Sequence, residues 1–215
     1  MTKPRLLDIG CCAGGCSAGY ADAGFDVTGL DIEPQPNYPY RFIQADMFDY
    51  PLEGYDAYHA SPHCQRYSIV SLFHRLTQEK YPDQIPGIRE RLKATGKPYV
   101  IENIARAPLI KSIMLCGEMF GLRTYRHRWF ESNLLLFQPH HPKHIHRAAD
   151  ATRTPKEGEY WSICGHMGHK DDAQRAMGID WMKTQHEIAQ AIPKAYTHWI
   201  GDQLMTAIGA SRRAS

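Results

Sequence analysis

Hydrophobic and polar positions in the first 130 residues alternate between short, almost wholly apolar runs and longer segments of mixed character. The short runs predict buried strands at residues 5–10, 26–31, 41–46, 56–60 and 98–103. Helices are predicted between them at 17–24 and 85–95. This alternation implies an α/β chain: a doubly wound, mostly parallel sheet with helices on both faces and ligands at its carboxyl edge. From 137 to 172 the periodicity fails, and Pro, His, Thr and Gly clusters predict an irregular insert. Helices are predicted again at 172–182 and at 195–208, the second just after Pro193, with a frayed tail from 209 to 215. The 215 residues are expected to form one domain, with 137–172 as a small insert and 173–208 returning to the core.

Composition narrows this picture only slightly. With 43% hydrophobic and 22% charged residues the chain falls in the ordinary globular class. No apolar run is long enough to span a bilayer, so no membrane partner is expected. The first strand begins so early in the sequence that no signal peptide is expected. Six cysteines without a framework spacing predict reduced thiols, as in a prokaryotic or viral-host cytoplasm. The net charge of +2 conceals a polarity: residues 1–60 carry −6 and the remainder +8. A polyanionic partner meeting the later part of the chain fits that split, as does a solvated surface of mixed sign.

Candidate chemistry collects at predicted strand ends. After the first strand, Asp8-x-Gly10-x-x-x-Gly14-Gly15 leads to Ser17, where free helix amides favour an anionic group. Asp31 or Glu33 ends the second strand, where an acid can hold ribose hydroxyls, and Asp46 ends the third, within reach of an adenine amine. Three acids at successive strand ends point to an adenosine-containing cofactor. Cys12 and Cys16 lack the third thiol of a radical-type iron–sulfur cluster, since position 19 is Gly, so Cys11, Cys12 and Cys16 are expected to pack around the loop. Past the fourth strand lies Ser61-Pro62-His63-Cys64-Gln65, and the fifth ends in Glu102-Asn103. A thiol and a carboxylate placed this way describe covalent catalysis beside a cofactor.

The order of glycine loop, His63-Cys64-Gln65, Glu102-Asn103-Ile104 and Tyr125-Arg126-His127-Arg128 resembles the DNA (cytosine-5)-methyltransferases. Cys116-Gly117-Glu118-Met119-Phe120-Gly121-Leu122 is similar as well. So is Gln190-Ala191-Ile192-Pro193-Lys194-Ala195-Tyr196, which is similar to the family's last motif, whose helix folds back on the cofactor pocket. The resemblance covers nearly the whole chain and implies a Rossmann-like methyltransferase sheet with S-adenosylmethionine as cofactor. It implies a cofactor site of Asp8, Gly10, Cys12, Gly14, Gly15, Ser17, Asp31, Ile32, Asp46, Met47 and Ser61. Cys64 would attack cytosine C6, which turns C5 into an enamine-like carbon able to accept a methyl group. Protonated Glu102 would donate at N3, Asn103 would position its loop, and Arg128, with Arg126, would contact the base O2 or a phosphate. His63, Gln65 and Ser68 would meet the substrate. The chain departs from the family's Pro-Cys-Gln: His63 precedes the thiol and the proline is Pro62. An imidazolium there would lower the thiol pKa, or it marks a different substrate.

DNA is the expected partner and a monomer the expected state. Insert 137–172 is too short for an ordinary recognition domain, which implies a short or relaxed target sequence. Its basic, histidine-rich character suits phosphate contacts, and a duplex cytosine would have to be flipped out. Tyr160 and Trp161 are expected to pack within the insert. Cys164-Gly-His166-x-x-His169 with His140, His141, His144 or His146 has zinc-like spacing, but a phosphate-binding loop is the commoner use, so no metal is expected. Two rivals remain: the same chemistry on RNA or a free cytosine nucleotide, and a catalytically silent DNA-binding module.

Overall fold

The computed structural model describes residues 2–68, 80–150, 153–163 and 170–214. Strands β1 (Arg5–Ile9), β2 (Asp26–Asp31), β3 (Arg41–Gln44), β4 (Ala57–Ala60) and β5 (Tyr99–Asn103) pair in parallel in the order β3-β2-β1-β4-β5. Strand β7 (Arg128–Ser132) joins β5 antiparallel and is followed by β6 (Ile113–Leu115) at the edge. The seven-stranded sheet is therefore mostly parallel, with a short antiparallel extension. β1, β4 and β5 are buried almost throughout, as strands covered on both faces must be.

Helix α1 (Gly15–Asp22) follows β1, and α2 (Ile85–Ala94) precedes β5. The later helices are α3 (Lys170–Met177), α4 (Gln185–Gln190) and α5 (Lys194–Ala214). One core layer places Tyr20 and Phe25 against Tyr196, Ile200, Leu204 and Ile208 of α5. The other packs Leu7, Ile9 and Tyr58 against Ile88 and Leu92 of α2. Among the described residues no helix is long and apolar enough to cross a membrane.

Several boundaries differ from the sequence expectation. α1 starts two residues before position 17, at Gly15, because Gly14 takes the left-handed cap conformation. α3 stops at Met177 instead of 182, where Gly178, with φ 68°, turns the chain away. α5 runs to Ala214 through the tail that was expected to fray, carried by a buried stripe at Tyr196, Ile200, Leu204 and Ile208. The short helix α4 was not predicted. Between 137 and 163 the described residues form no helix or strand, only single bridges such as Thr124–Trp161 and Ala148–Tyr160.

Sheet order reverses between β1 and β4, so the ends of these strands flank a crevice. They come very close: Ser61 N donates to Ile9 O at 2.8 Å, and a Cβ on Gly10, whose φ is +71°, would meet Ser61 O at 2.7 Å. Only glycine fits at position 10.

Candidate active site

Two adjoining hollows occupy that crevice. The larger, of 580 Å³, is lined by Gly10, Cys12, Asp31, Ile32, Asp46, Met47 and Ser61, together with residues of α4. Its size suits a nucleoside-sized ligand. The smaller, of 140 Å³, is lined by Cys64, Glu102 and Arg128, with Gly15, His63 and Gln65 on its wall. Gly10, Cys12, Ser61, His63 and Gln190 border both, so the two hollows share a wall.

Acids at strand ends shape the larger hollow. Asp31 Oδ2 accepts from Cys12 N at 2.9 Å, and Oδ1 accepts from Glu33 N at 3.0 Å. Each oxygen keeps a further lone pair for a hydroxyl. Asp46 Oδ1 accepts from Phe48 N at 2.8 Å, which fixes its turn. Ile32 presents an exposed apolar side chain, suited to the face of a planar ring.

Asp8, Gly14 and Ser17 do not line either hollow. Because α1 begins early, Ser17 faces the sheet, where its hydroxyl is spent on Asp8 and lies 2.6 Å from Tyr38 Oη. Asp8 is wholly buried, and burial pushes its carboxyl up to about 7. Gly14 instead abuts the Tyr38 ring, and Gly15 seats α1 on the chain at Ile192, whose carbonyl a Cβ would meet at 2.6 Å. Cys11 and Cys16 are buried packing residues, as expected.

The antiparallel direction of β7 explains the smaller hollow. It brings the start of β7 beside the end of β5, with Glu102 opposite Phe130 and Asn103 opposite Trp129. Arg128 Nε then lies 3.1 Å from Glu102 Oε1. Burial raises the Glu102 pKa, while Arg128, Arg126 and a hydrogen bond from Ser61 pull it back. Asn103 is fully buried, and its Nδ2 donates to Pro62 O at 2.8 Å, tying the end of β5 to the Cys64 loop. Cys64 is exposed as a residue, but its sulfur lies in the concave wall: burial and Glu102 raise the thiol pKa, and Arg128 opposes them. His63 packs its ring edge-on against Tyr81, with the centroids 5.7 Å apart. Gln65 Oε1 is buried without a partner on the pocket wall. Ser68 closes the short turn after Gln65 and does not line the pocket.

No family model matches the sequence. No curated protein matches it either. Solved structures do. One, from an E. coli prophage and described as a DNA modification methyltransferase, superposes with a TM-score of 0.67 at 12% identity, over 96% of this chain and 100% of that one. The S. pombe Dnmt2 methyltransferase gives 0.63 at 13% identity, over 96% and 99%. The Entamoeba histolytica methyltransferase EhMeth gives 0.62 at 12% identity, over 97% and 99%. The fold is that of a Rossmann-like methyltransferase. At such identity the shared property is the layout of the chain, and the chemistry has to be argued from the pocket.

Within this methyltransferase fold Arg126 takes a place that the sequence did not foretell. Its guanidinium turns away from the hollow and donates to Ala191 O at 2.8 Å, Ile163 O at 2.9 Å and Ala189 O at 2.5 Å. Burial and neighbouring Arg128 lower its pKa to about 9, so it stays charged near neutrality. Arg126 is thus a strut holding the segment that forms one wall of both hollows.

Other contributors were missed. Thr184, His186, Glu187 and Gln190 of the α4 region line the larger hollow, as does Gln84. Thr184 and Glu187 form a reciprocal capping box, a Thr-x-x-Glu signal that was visible in the sequence. Trp181 Nε1 donates to Ala13 O at 2.7 Å, and Asn37 Nδ2 donates to Glu187 Oε1 at 2.7 Å, which clamps this segment onto the glycine loop and onto the connection between β2 and β3. Beneath Ser61, His59 Nε2 lies 2.9 Å from Ser61 Oγ, and His59 Nδ1 lies 2.9 Å from Tyr20 Oη. Burial lowers the His59 pKa to about 3, so the imidazole is neutral. A consistent assignment runs from Tyr20 O–H to His59 Nδ1, from Nε2–H to Ser61, and from Ser61 O–H to Glu102.

Proposed function

We propose that this chain methylates cytosine at C5 in DNA, using S-adenosylmethionine and a transient bond from Cys64. The observation that carries the reading is the meeting of Cys64, Glu102 and Arg128 in one 140 Å³ hollow that shares a wall with a nucleoside-sized cavity. The larger cavity fits the cofactor: glycine-only backbone at Gly10, carboxylates at Asp31 and Asp46, and an apolar face at Ile32. Cys12, Met47 and Ser61 would complete that site. When bound, S-adenosylmethionine supplies an electrophilic methyl group.

The residues of the chain supply the rest. Cys64 Sγ, as thiolate, forms a bond to C6 and pushes its electrons through the ring to N3. Glu102, favoured in its protonated form by burial, donates a proton at N3. Arg128 steadies the Glu102 carboxyl and presents donors towards the base O2. Asn103 holds the Pro62–Cys64 loop at the right height, and Gln65 offers its buried acceptor to the substrate. Once C5 carries its methyl group, its proton leaves to a base, the C5–C6 double bond re-forms, Sγ departs with its electron pair and the N3 proton returns to the Glu102 carboxylate. Arg126 positions the wall at 189–191 in this scheme and does not touch the base. The positive charge of the later part of the chain suits a phosphate backbone, with a duplex cytosine flipped into the hollow.

The test is trapping on oligonucleotides that carry 5-fluorocytosine, which cannot lose the C5 substituent as a proton. With S-adenosylmethionine, a denaturation-resistant adduct mapped to Cys64, and absent in Cys64→Ser, supports the proposal. Transfer of tritiated methyl only to RNA or to dCTP would refute DNA as substrate. DNA retention with no transfer to any cytosine would refute catalysis.

A further inference from the structure

We propose that Cys116, His127, His141 and His144 form a tetrahedral zinc site that fastens the irregular insert to the turn carrying Arg126 and Arg128. The four residues come from separate places: Cys116 follows β6, His127 immediately precedes β7, and His141 and His144 lie in the insert. One ligand atom from each lies within 4.8 Å of every other. Cys116 Sγ is 3.4 Å from His144 Nε2, and His127 Nε2 is 3.4 Å from His141 Nε2. Zinc bonds of about 2.0–2.1 Å to nitrogen and about 2.3 Å to sulfur give tetrahedral edges of roughly 3.3–3.6 Å. Two opposite edges of the cluster already have that length, and the remaining ones need only small side-chain rotations to close.

The surroundings point the same way. Glu118 Oε2 is buried, has no hydrogen-bond partner and lies 3.7 Å from His144 Nε2. A buried acceptor left unmade is costly, and a dication between the thiolate and this carboxylate would balance the local charge. Tyr125 stacks on the His144 ring at 3.7 Å and 19°, which fixes the plane of that ligand. One soft thiolate with three imidazoles favours zinc over magnesium or calcium. Four protein ligands leave no open position, so the role is structural.

Such a clip answers a physical need. The described residues between 137 and 163 form no helix or strand, and a segment so short cannot bury a core of its own. The ligand set differs from the spacing that the sequence offered. His141 and His144 are shared with it, Cys164, His166 and His169 fall outside the described residues, and the thiol comes from Cys116 instead.

The experiment uses the full chain and reads metal, not methyl transfer, so its outcome is independent of the proposed activity. The expected result is one equivalent of zinc retained through desalting. Cobalt(II) exchanged into the site should give the intense visible bands of a tetrahedral ion with a sulfur-to-cobalt charge-transfer band. Cys116→Ser should abolish that charge-transfer band, and His144→Ala should weaken zinc binding by more than about 100-fold. Cys164→Ser, His169→Ala and His140→Ala should leave metal content and spectrum unchanged. Wild-type protein with neither zinc nor a tetrahedral cobalt spectrum would overturn the proposal, whatever the variants do. So would a thiolate band that survives Cys116→Ser or disappears in Cys164→Ser.

Discussion

Replacing Arg126 with methionine separates the two roles open to this side chain. The guanidinium makes three bonds to backbone carbonyls at 189, 191 and 163. Charge-assisted bonds contribute roughly 1.5–3 kcal/mol each, so about 4.5–9 kcal/mol is lost with the arginine. Against this stands the cost of confining the charge. A pKa lowered from 12.5 to about 9 corresponds to roughly 5 kcal/mol at most, and less because part of the residue still meets solvent. Methionine recovers that cost and leaves three carbonyls without their donor. The balance is a net loss of about 3 kcal/mol. For a chain of this size that lowers Tm by roughly 6–12 °C, as read by calorimetry on ligand-free protein. Binding of S-adenosylmethionine should weaken as well, because Gln190 borders the larger cavity and its two neighbours lose their anchor. If Arg126 instead met substrate phosphate, Tm would stay unchanged while DNA affinity fell and its salt dependence dropped by about one phosphate contact. That pattern would refute the strut.

Three further outcomes follow from the structure. Alkylation of Cys64 by iodoacetamide should follow a pKa above that of an ordinary thiol. Arg128→Ala, which removes the charge favouring thiolate, should slow it at pH 8, and Glu102→Gln should speed it; the opposite pair of signs would contradict the electrostatics, with the modified residue read by mass spectrometry. Asn103→Ala removes the 2.8 Å bond to Pro62 O and should cost about 1–3 kcal/mol in denaturant melts, with a faster Cys64 alkylation rate from a looser loop. Asp8 has a folded pKa near 7 against 3.8 when exposed, so the folded chain holds an extra proton between those values. Stability should therefore fall as pH rises from about 4 to about 7, by an amount on the order of 4 kcal/mol, and Asp8→Asn should flatten that slope in urea titrations at pH 4, 6 and 8.

The inner parallel strands were legible because β1, β2, β4 and β5 are largely buried and carry short, mostly apolar runs, whereas the edge strand β3 is only half-buried. Leu6, Leu7 and Ile9, or Val100 and Ile101, have no polar alternation to blur them. The loops at Gly10, Asp31, Asp46 and Cys64 were legible for a related reason: in such a sheet every strand end points into one crevice. β6 was hidden because three residues carry too little periodicity to be distinguished from a loop. Ser17 was misjudged through a two-residue shift in the start of α1, enough to turn its side chain from the ligand to the sheet.

The Arg126-His127-Arg128 turn shows where a sequence pattern stops being informative. Extended backbone would place positions 126 and 128 on one side and 127 on the other, so two arginines facing one pocket was the natural expectation. Arg126 instead has φ +36°, a left-handed conformation that costs a non-glycine residue about 1–2 kcal/mol. Tyr196 Oη offsets part of that cost by donating to Tyr125 O and Arg126 O, at 3.2 and 3.0 Å, and the three guanidinium bonds offset more. With the alternation broken, three consecutive side chains diverge: Arg126 to the 189–191 wall, His127 to the insert histidines, Arg128 to Glu102. One strained residue thereby couples the cofactor wall, the insert and the carboxylate of the small hollow. Shortening or straightening this turn should disturb all three at once.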